Sequence, residues 1–379
     1  MTEKLYYKNP YMKSFTAKVL RSERCGDKYS VVLDRTAFFP EEGGQTADTG
    51  YIGASRVLDV KEYKHEIVHI TDAEVELGEV ECTLDFDTRF EKMQLHTAEH
   101  ILCGIIYAKY GFANVGFHLG DDVVTFDIDG ELDRDALDEI ELIANKYVFD
   151  NRPVTTSFPS ADELHTLSYR AKLDMTEGVR LVNIEGVDIC ACCAPHVSYT
   201  GEIGIIKILD FMRHRGGLRI TMVAGKRALG DYGKRYKTSK AIGALTSTPS
   251  LEIERAVEAM HRELEATKRD LGQSRLELAR LRAERIGEVE GNIVVVYPDM
   301  SHDELRELCN NAVCRVGGMI VALSGDNGSY KYVIASKNFD LGRMARDINS
   351  ALSGRGGGKS EMIQGSFAAS IEEIKRYFR

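Results

Sequence analysis

The stretch Gln94-Leu95-His96-Thr97-Ala98-Glu99-His100-Ile101-Leu102 decides how this chain is read. Its histidines stand four residues apart inside a helical pattern, so both rings leave one face of the helix and can reach the same metal ion. A second cluster, Cys190-Ala191-Cys192-Cys193-Ala194-Pro195-His196-Val197, repeats the spacing with Cys192 and His196. An HxxxH pair alone is a weak signal, because surface and core histidines produce it by chance. Three cysteines and a histidine in so short a stretch are more specific. Together His96, His100, Cys192 and His196 make a candidate N/S donor set for tetrahedral Zn2+, about one ion per chain. The competing reading is a buried cysteine cluster beside satisfied histidines.

Working outward, the chain has 379 residues, 43% of them hydrophobic and 28% charged, which suits a globular protein of roughly two to four domains. No apolar run approaches the roughly 20 residues of a membrane span. The opening Met1-Thr2-Glu3-Lys4-Leu5-Tyr6-Tyr7 lacks the form of a signal peptide. The eight cysteines show no disulfide-framework spacing, which favours a reducing cytoplasm and metal ligation over crosslinking. A formal net charge of -10 argues against a body coated for nonspecific nucleic-acid binding. Yet between 211 and 240 Arg213, Arg215, Arg219, Lys226, Arg227, Lys234, Arg235, Lys237 and Lys240 are accompanied by a single acid, Asp231. That strip is a candidate phosphate-contacting surface, with a solvated face as the plain alternative.

Residues 1 to 88 read as short strands around a loop, Arg35 to Gly50, in which Pro40, Gly43 and Gly44 let the backbone approach another surface. A small antiparallel β-barrel is expected there. His65 and His69 lie in a strand pattern about 13 Å apart, too far to chelate, and are expected to be exposed. A helix begins at Asp87, with Leu95, Ala98, Leu102, Ile105 and Ile106 as its apolar stripe. A turn and a strand follow over 115–128, then a helix over 133–148, a strand-like segment over 178–187, and paired strands near 204–209 and 218–223, an α+β pattern. From Ile253 through Val257, Met260, Leu264, Thr267, Leu271, Ser274, Leu278 and Leu281 the spacing alternates four and three, a heptad seam with polar interruptions. It predicts a helical hairpin arm or coiled coil from about 249 to 287, the alternative being one amphipathic helix lying on the body. Beyond Gly287 the pattern turns α/β and ends in a glycine-rich stretch from Gly354 to Phe367. There Arg355, Lys359 and the backbone could meet phosphate or a sugar edge, or simply form a tight structural loop.

His96-Thr97-Ala98-Glu99-His100, Cys192-Cys193-Ala194-Pro195-His196-Val197 and Thr200-Gly201-Glu202-Ile203-Gly204 resemble the editing domain of alanyl-tRNA synthetases. The stretch around Gly43-Gly44-Gln45 resembles the free-standing alanyl-tRNA editing proteins, the AlaX family, and the last ninety or so residues resemble the DHH-associated domain. The resemblance covers nearly the whole chain and matches the long form. It implies an α+β protein with an N-terminal small antiparallel β-barrel (1–88), a zinc-binding editing domain (89–245), a helical arm (246–287) and a C-terminal α/β DHH-associated domain (288–379). Where the family usually carries Cys-Gly-Gly-Thr-His this chain has Cys192-Cys193-Ala194-Pro195-His196, a stiffer loop with an extra thiol. Where synthetases often carry glutamine, it has His118. The short stretch before the zinc-binding helix leaves no room for an aminoacylation domain ahead of it.

The implied reaction is hydrolysis of the ester linking a wrong amino acid, serine or glycine, to the terminal adenosine of alanine tRNA. Water-positioning candidates are His118, Thr97 and Glu99, with surface or capping roles the plainer reading for Thr97 and Glu99. Thr36, Gly43, Gly44, Gln45 and Thr46 are candidates for the substrate pocket, and Arg213, Arg215 and Arg219 for phosphate contacts. The expected partners are mischarged alanine tRNA and a second copy of the chain joined through the C-terminal domain, with the arm as a spacer and no membrane. The rival readings are a zinc-structured tRNA-binding module without catalysis and a threonyl-tRNA-type editor. A DHH phosphoesterase is disfavoured, since no Asp-His-His triplet occurs.

Overall fold

Six strands, β1 (Ser14–Cys25), β2 (Lys28–Leu33), β3 (Gly50–Ile52), β4 (Ser55–Tyr63), β5 (Glu66–Thr71) and β6 (Gly78–Leu84), pair in the order β1-β2-β5-β4-β3-β6 and close on themselves. They belong to the first of two units, Met1–Ser239 and Lys240–Arg379, into which this computed structural model divides. It describes residues 2–64, 66–171, 178–326 and 328–379. Both units mix helices with sheets.

Alternation along a strand sends every second side chain inward. On β5 the inward set is Ile67, His69 and Thr71, so the expectation that His69 is exposed fails: the phase of the closed sheet, not local hydropathy, chose the face. His69 Nδ1 lies 3.1 Å from the Val31 carbonyl and must donate to it, which leaves Nε2 to accept from the Thr36 hydroxyl at 2.8 Å. His65 lies outside the described residues. Around His69 sit Leu33, Phe38, Val57, Val60 and Ile67, all fully buried. Each such side chain contributes about 1.5–3 kcal/mol by leaving water.

Helix α1 (Phe86–Tyr110) follows, ending at a left-handed Gly111. The apolar stripe predicted one buried face; instead every residue from Lys92 to Ile106 is buried. The surroundings explain this. A four-stranded sheet packs against α1, ordered β12-β13-β8-β7 and built from β7 (Asn114–Leu119), β8 (Val124–Ile128), β12 (Ile206–His214) and β13 (Gly217–Ala224). Helix α2 (Arg134–Phe149) joins the same core, its N-terminus capped by Asp133, which accepts from the Ala136 amide at 2.9 Å. Residues 114–119 were expected as a turn but form the edge strand of this sheet. A smaller sheet, β9 (Val154–Ser157), β10 (Leu181–Ile184) and β11 (Asp188–Ala191), lies against the same helix. Gly104 permits that contact, because a Cβ there would sit 2.7 Å from Asp188 Cβ.

The loop between β2 and β3 is tied to α1 by buried cations. Arg89 Nε donates to Asp48 Oδ2 at 2.8 Å and Nη2 to the Ala37 carbonyl at 2.6 Å. Lys92 Nζ donates to the Ala47 and Thr46 carbonyls at 2.6 and 3.1 Å. Arg89, Lys92 and His96 follow the i, i+3, i+7 rule, so the face that pins the loop is also the face that carries His96. Helix α3 (Gly225–Thr246) follows β13.

In the second unit, the expected hairpin arm is one uninterrupted helix, α4 (Ile253–Glu284), whose Ala279 and Ala283 pack against α5 (His302–Ala312). A five-stranded sheet follows, ordered β14-β15-β16-β18-β17, from β14 (Ile293–Val296), β15 (Ile320–Asp326), β16 (Ser329–Ala335), β17 (Arg355–Lys359) and β18 (Met362–Phe367). The stretch read as a glycine-rich loop is thus a hairpin, with β17 fully exposed at the sheet's edge. Helix α6 (Leu341–Ala351) covers the sheet's β17–β18 end. Among the described residues no helix is long and apolar enough to cross a membrane.

Candidate metal centre

One helical turn of α1 presents His96 and His100, and the loop after β11 presents Cys192 and His196. The donor atoms of all four lie within 4.8 Å of one another. Cys192 Sγ is 3.6 Å from His96 Nε2 and 3.3 Å from His196 Nε2. A tetrahedral zinc ion with bonds of about 2.0–2.3 Å would hold nitrogen and sulfur ligands about 3.5 Å apart. The two distances from Cys192 match the edges of such a site, and the whole set lies close enough to converge on one small cation.

Hydrogen bonds behind the rings set their tautomers. Thr97 Oγ1 donates its single hydrogen to the Met93 carbonyl at 2.7 Å, so toward His196 Nδ1, at 3.0 Å, it can only accept. His196 thus carries its proton on Nδ1 and turns the Nε2 lone pair toward Cys192. Gln45 Oε1 lies 2.9 Å from His96 Nδ1 and has the same effect on that ring. His100 is backed by Asp188, whose Oδ2 is 3.5 Å from Nδ1, and Arg170 holds that carboxylate through two 2.7 Å bonds. Such outer partners are how proteins aim imidazoles at metals. Arg180 Nη1 donates to the Cys192 and Ala194 carbonyls, both at 2.8 Å, and fixes the loop.

Charge follows geometry. Burial alone would raise the Cys192 thiol, but His96, His196 and His100 outweigh it and hold the thiol well below its ordinary range. Burial pushes His196 down to about 3. Burial also opposes a charge on His100, yet Cys190, Asp188 and Cys192 overcome it and push that ring well above its usual value. One thiolate and three imidazoles, with the proton of His100 giving way to a cation, make a donor set that suits zinc, so the residues fit the ion.

The other sequence candidates scatter. Gln45 is fully buried, with its Nε2 left without a protein partner. Gly43 passes Cys193, and Gly44, at a φ of 83°, lies so close to Phe117 that a Cβ would stand 2.4 Å from its carbonyl oxygen. The Phe117 ring covers His96 at 4.6 Å. His118, the next residue on the strand, is exposed and points from the opposite face, so it does not line the cluster. Thr97 and Glu99, for which surface or capping roles were the plainer reading, are both buried because α1 is enclosed on all sides. Glu99 Oε1 accepts from Asn114 and from Cys103 Sγ at 3.0 Å, while Oε2 lies 3.9 Å from His100 Nε2. Thr36 is spent on His69 and on the Phe38 amide at 3.1 Å, and Thr46 contributes its carbonyl to Lys92.

Counting charges along the sequence left out the acids that other parts of the chain bring to the basic strip. Arg219 is gripped by Asp127 from β8 at 2.7 and 2.8 Å, and Arg213 meets Glu131 at 3.0 Å. Arg215 sits at the hairpin turn with a φ of 47°. Arg227 reaches Glu91 at 2.7 Å. These acids come from distant parts of the chain. Asp188, Arg170, Arg180 and Phe117 were not foreseen; none has a periodic signal, though Asp188 lies two residues before Cys190 and Phe117 directly before His118.

Residues 179–221 match the family described as the threonyl and alanyl tRNA synthetase second additional domain, and residues 2–89 match tRNA synthetases class II (A). The alanyl-tRNA editing protein AlaX-L of Pyrococcus horikoshii is 28% identical over 99% of this chain and 96% of its own length. The alanine–tRNA ligases of Ignicoccus hospitalis and Pyrococcus furiosus are each 31% identical, over 94% and 99% of this chain. Against those ligases the chain spans only 40% and 43% of their length. The C-Ala domain of Aquifex aeolicus alanyl-tRNA synthetase matches 24% of this chain and 91% of its own, at 22% identity and a TM-score of 0.21.

Proposed function

We propose that this chain, which is similar to the alanyl-tRNA editing protein AlaX-L along nearly its whole length, is a trans-editing hydrolase that frees the wrong amino acid from mischarged alanine tRNA. The observation that carries the reading is the convergence of His96, His100, Cys192 and His196 on one point. In the proposal these four hold one zinc ion, within an editing domain spanning 89–245 that follows a barrel domain at 1–88. Zinc in such a site supplies Lewis acidity toward an ester carbonyl or lowers the pKa of a water.

The protein's own residues supply orientation and dryness. Thr97 is a positioning residue, because its hydroxyl is fully used by Met93 and His196. Glu99 Oε2 stands 3.9 Å from His100 Nε2, close behind the ring. Tyr6, Phe39 and Ala194, fully buried beside Cys192 and Cys193, limit the water that reaches the ester. Water attacks the ester carbonyl, the bond to the ribose oxygen breaks, and the proton passes to that oxygen, giving free amino acid and uncharged tRNA.

Selectivity has a physical rationale. A synthetase pocket for a small apolar side chain rejects an added hydroxyl poorly, so serine needs a second check. A pocket that bonds the hydroxyl loses a partner when alanine enters. The unpartnered Nε2 of Gln45 is the donor in the proposal.

The test measures release of labelled serine from serine-charged alanine tRNA, with alanine-charged alanine tRNA and serine-charged threonine tRNA alongside. Selective release from the first substrate is expected. Binding without release points to a zinc-structured tRNA-binding module, and preference for the threonine tRNA points to a threonyl-type editor.

A further inference from the structure

Helix α3 is rooted beside the metal centre and turns a cationic, aromatic face to solvent. Its root is fastened to α1. Gly225 packs on the Gln94 side chain without room for a Cβ, and Arg227 donates to Glu91 and to the Gly120 carbonyl, both at 2.7 Å. Ala228 is buried at that root. Beyond it, Leu229, Tyr232 and Tyr236 form one exposed stripe of the helix. Tyr232 is 67% and Tyr236 50% exposed, and their rings stack with centroids 6.3 Å apart and planes 17° from parallel.

The neighbouring stripe is Lys226, Gly230, Gly233 and Lys237, at i, i+4, i+7 and i+11, with Lys234 on its far side. The one acid of α3, Asp231, is held by Arg235 at 2.6 Å. Among the described residues Lys226, Lys234 and Lys237 have no ion-pair partner. A Cβ at Gly230 or Gly233 would meet no atom within 4 Å, so packing does not demand these two poor helix formers. The result is a floor without side chains, bounded by lysines at its ends and by two rings along one edge.

Chemistry selects the occupant. Unpaired cations fit a polyanion, flat rings fit bases, and a bare floor lets a backbone lie close. Proteins that hold single-stranded nucleic acid combine a cationic track for the phosphates with aromatic rings under the bases. An acidic peptide would leave the rings idle, and a duplex stacks its base faces on one another.

We propose that this face of α3 holds the unpaired 3′ end of an RNA as it enters the metal centre, with Lys226, Lys234 and Lys237 on phosphates and Tyr232 and Tyr236 under bases. The inference rests on the reading that an RNA end reaches that centre. Stacking accepts every base, so these contacts position the strand and carry no identity.

Fluorescence anisotropy of the full-length chain with an unpaired RNA oligonucleotide ending in CCA tests this, with a blunt RNA duplex as control. Tyr232→Ala with Tyr236→Ala should weaken the single strand roughly tenfold and leave the duplex unchanged. Tyr232→Phe with Tyr236→Phe should retain binding, because stacking needs the ring and not the hydroxyl. Lys226→Ala with Lys237→Ala should flatten the log–log salt dependence by about 0.7 per contact. Gly230→Gln with Gly233→Gln should raise helix content by circular dichroism yet weaken binding, a loss that unfolding cannot explain. Undiminished single-strand binding in the alanine or glutamine variants, an equal loss on the duplex, or polyglutamate bound as tightly as the oligonucleotide would each overturn the proposal. None of these measurements needs a charged RNA. The expected binding pattern without serine release would therefore sink the hydrolase reading and leave the strand-holding face in place.

Discussion

Gln45 Oε1 lies 2.9 Å from His96 Nδ1, so a residue of the barrel-side loop orients a ring on the helix that follows. The loop holds that position through Arg89 and Lys92 on the same helix face, and the tautomer of His96 depends on the junction of two substructures.

Removing that acceptor should loosen the metal. Gln45→Ala is expected to lower zinc affinity about 10- to 100-fold, the usual effect of losing an outer partner. Gln45→Glu, which keeps an acceptor, should retain most of it. Competition with a chromogenic chelator gives the affinities, and equal values for wild type and Gln45→Ala would remove the role assigned to this residue.

Purified protein should contain about one zinc per chain by ligand count. Elemental analysis of His96→Ala and of Cys192→Ala should show reduced content. Full occupancy in the double variant would mean that the ion sits elsewhere.

His69 gives a pH prediction away from the metal. Burial depresses its folded pKa to about 4 from 6.5. Between those values the unfolded chain binds the extra proton, so this contribution is complete above about pH 6.5 and is lost as pH falls toward 4. From pH 7.5 to 5 the loss is about 2 kcal/mol at 1.36 kcal/mol per pH unit. Urea unfolding at both pH values should show that His69→Gln loses less stability than wild type on acidification. Equal losses would show that His69 does not titrate as its burial requires.

Arg213 and Arg215 should contact phosphate more freely than Arg219, which Asp127 already holds. Arg213→Ala with Arg215→Ala should weaken all tRNAs alike and flatten the log–log salt dependence by about 0.7–0.9 per contact. Arg219→Ala should change the slope less. A loss confined to alanine tRNA would instead make these arginines identity readers.

A chain ending after α3, at Thr246, should keep ester hydrolysis and lose its preference for alanine tRNA, because the terminal CCA is common to all tRNAs. Comparing serine-charged alanine tRNA with serine tRNA in both forms checks this. Full preference in the shortened chain would place identity reading in the first unit.

Local spacing made much of this protein legible in its sequence. His96 with His100, and Cys192 with His196, were readable because a four-residue interval reports on neighbours along the chain. The seam of α4 was readable because a heptad is a periodic signal, and Gly43-Gly44-Gln45 marked a loop because glycine frees the backbone. What lies across the chain was not readable. His69 is buried because closing six strands fixes which alternate set points inward. His118 faces away because the pleat of β7 gives Phe117 the inner side. Arg219 is neutralised by an acid 92 residues earlier. Sequence alone determined the donor types, their pairing into chelating intervals and the heptad period of the long helix. Only the tertiary structure decided that donors 96 residues apart meet within bonding reach of one ion, and which hydrogen bonds aim them, because those contacts depend on sheet phase and helix packing rather than on local period.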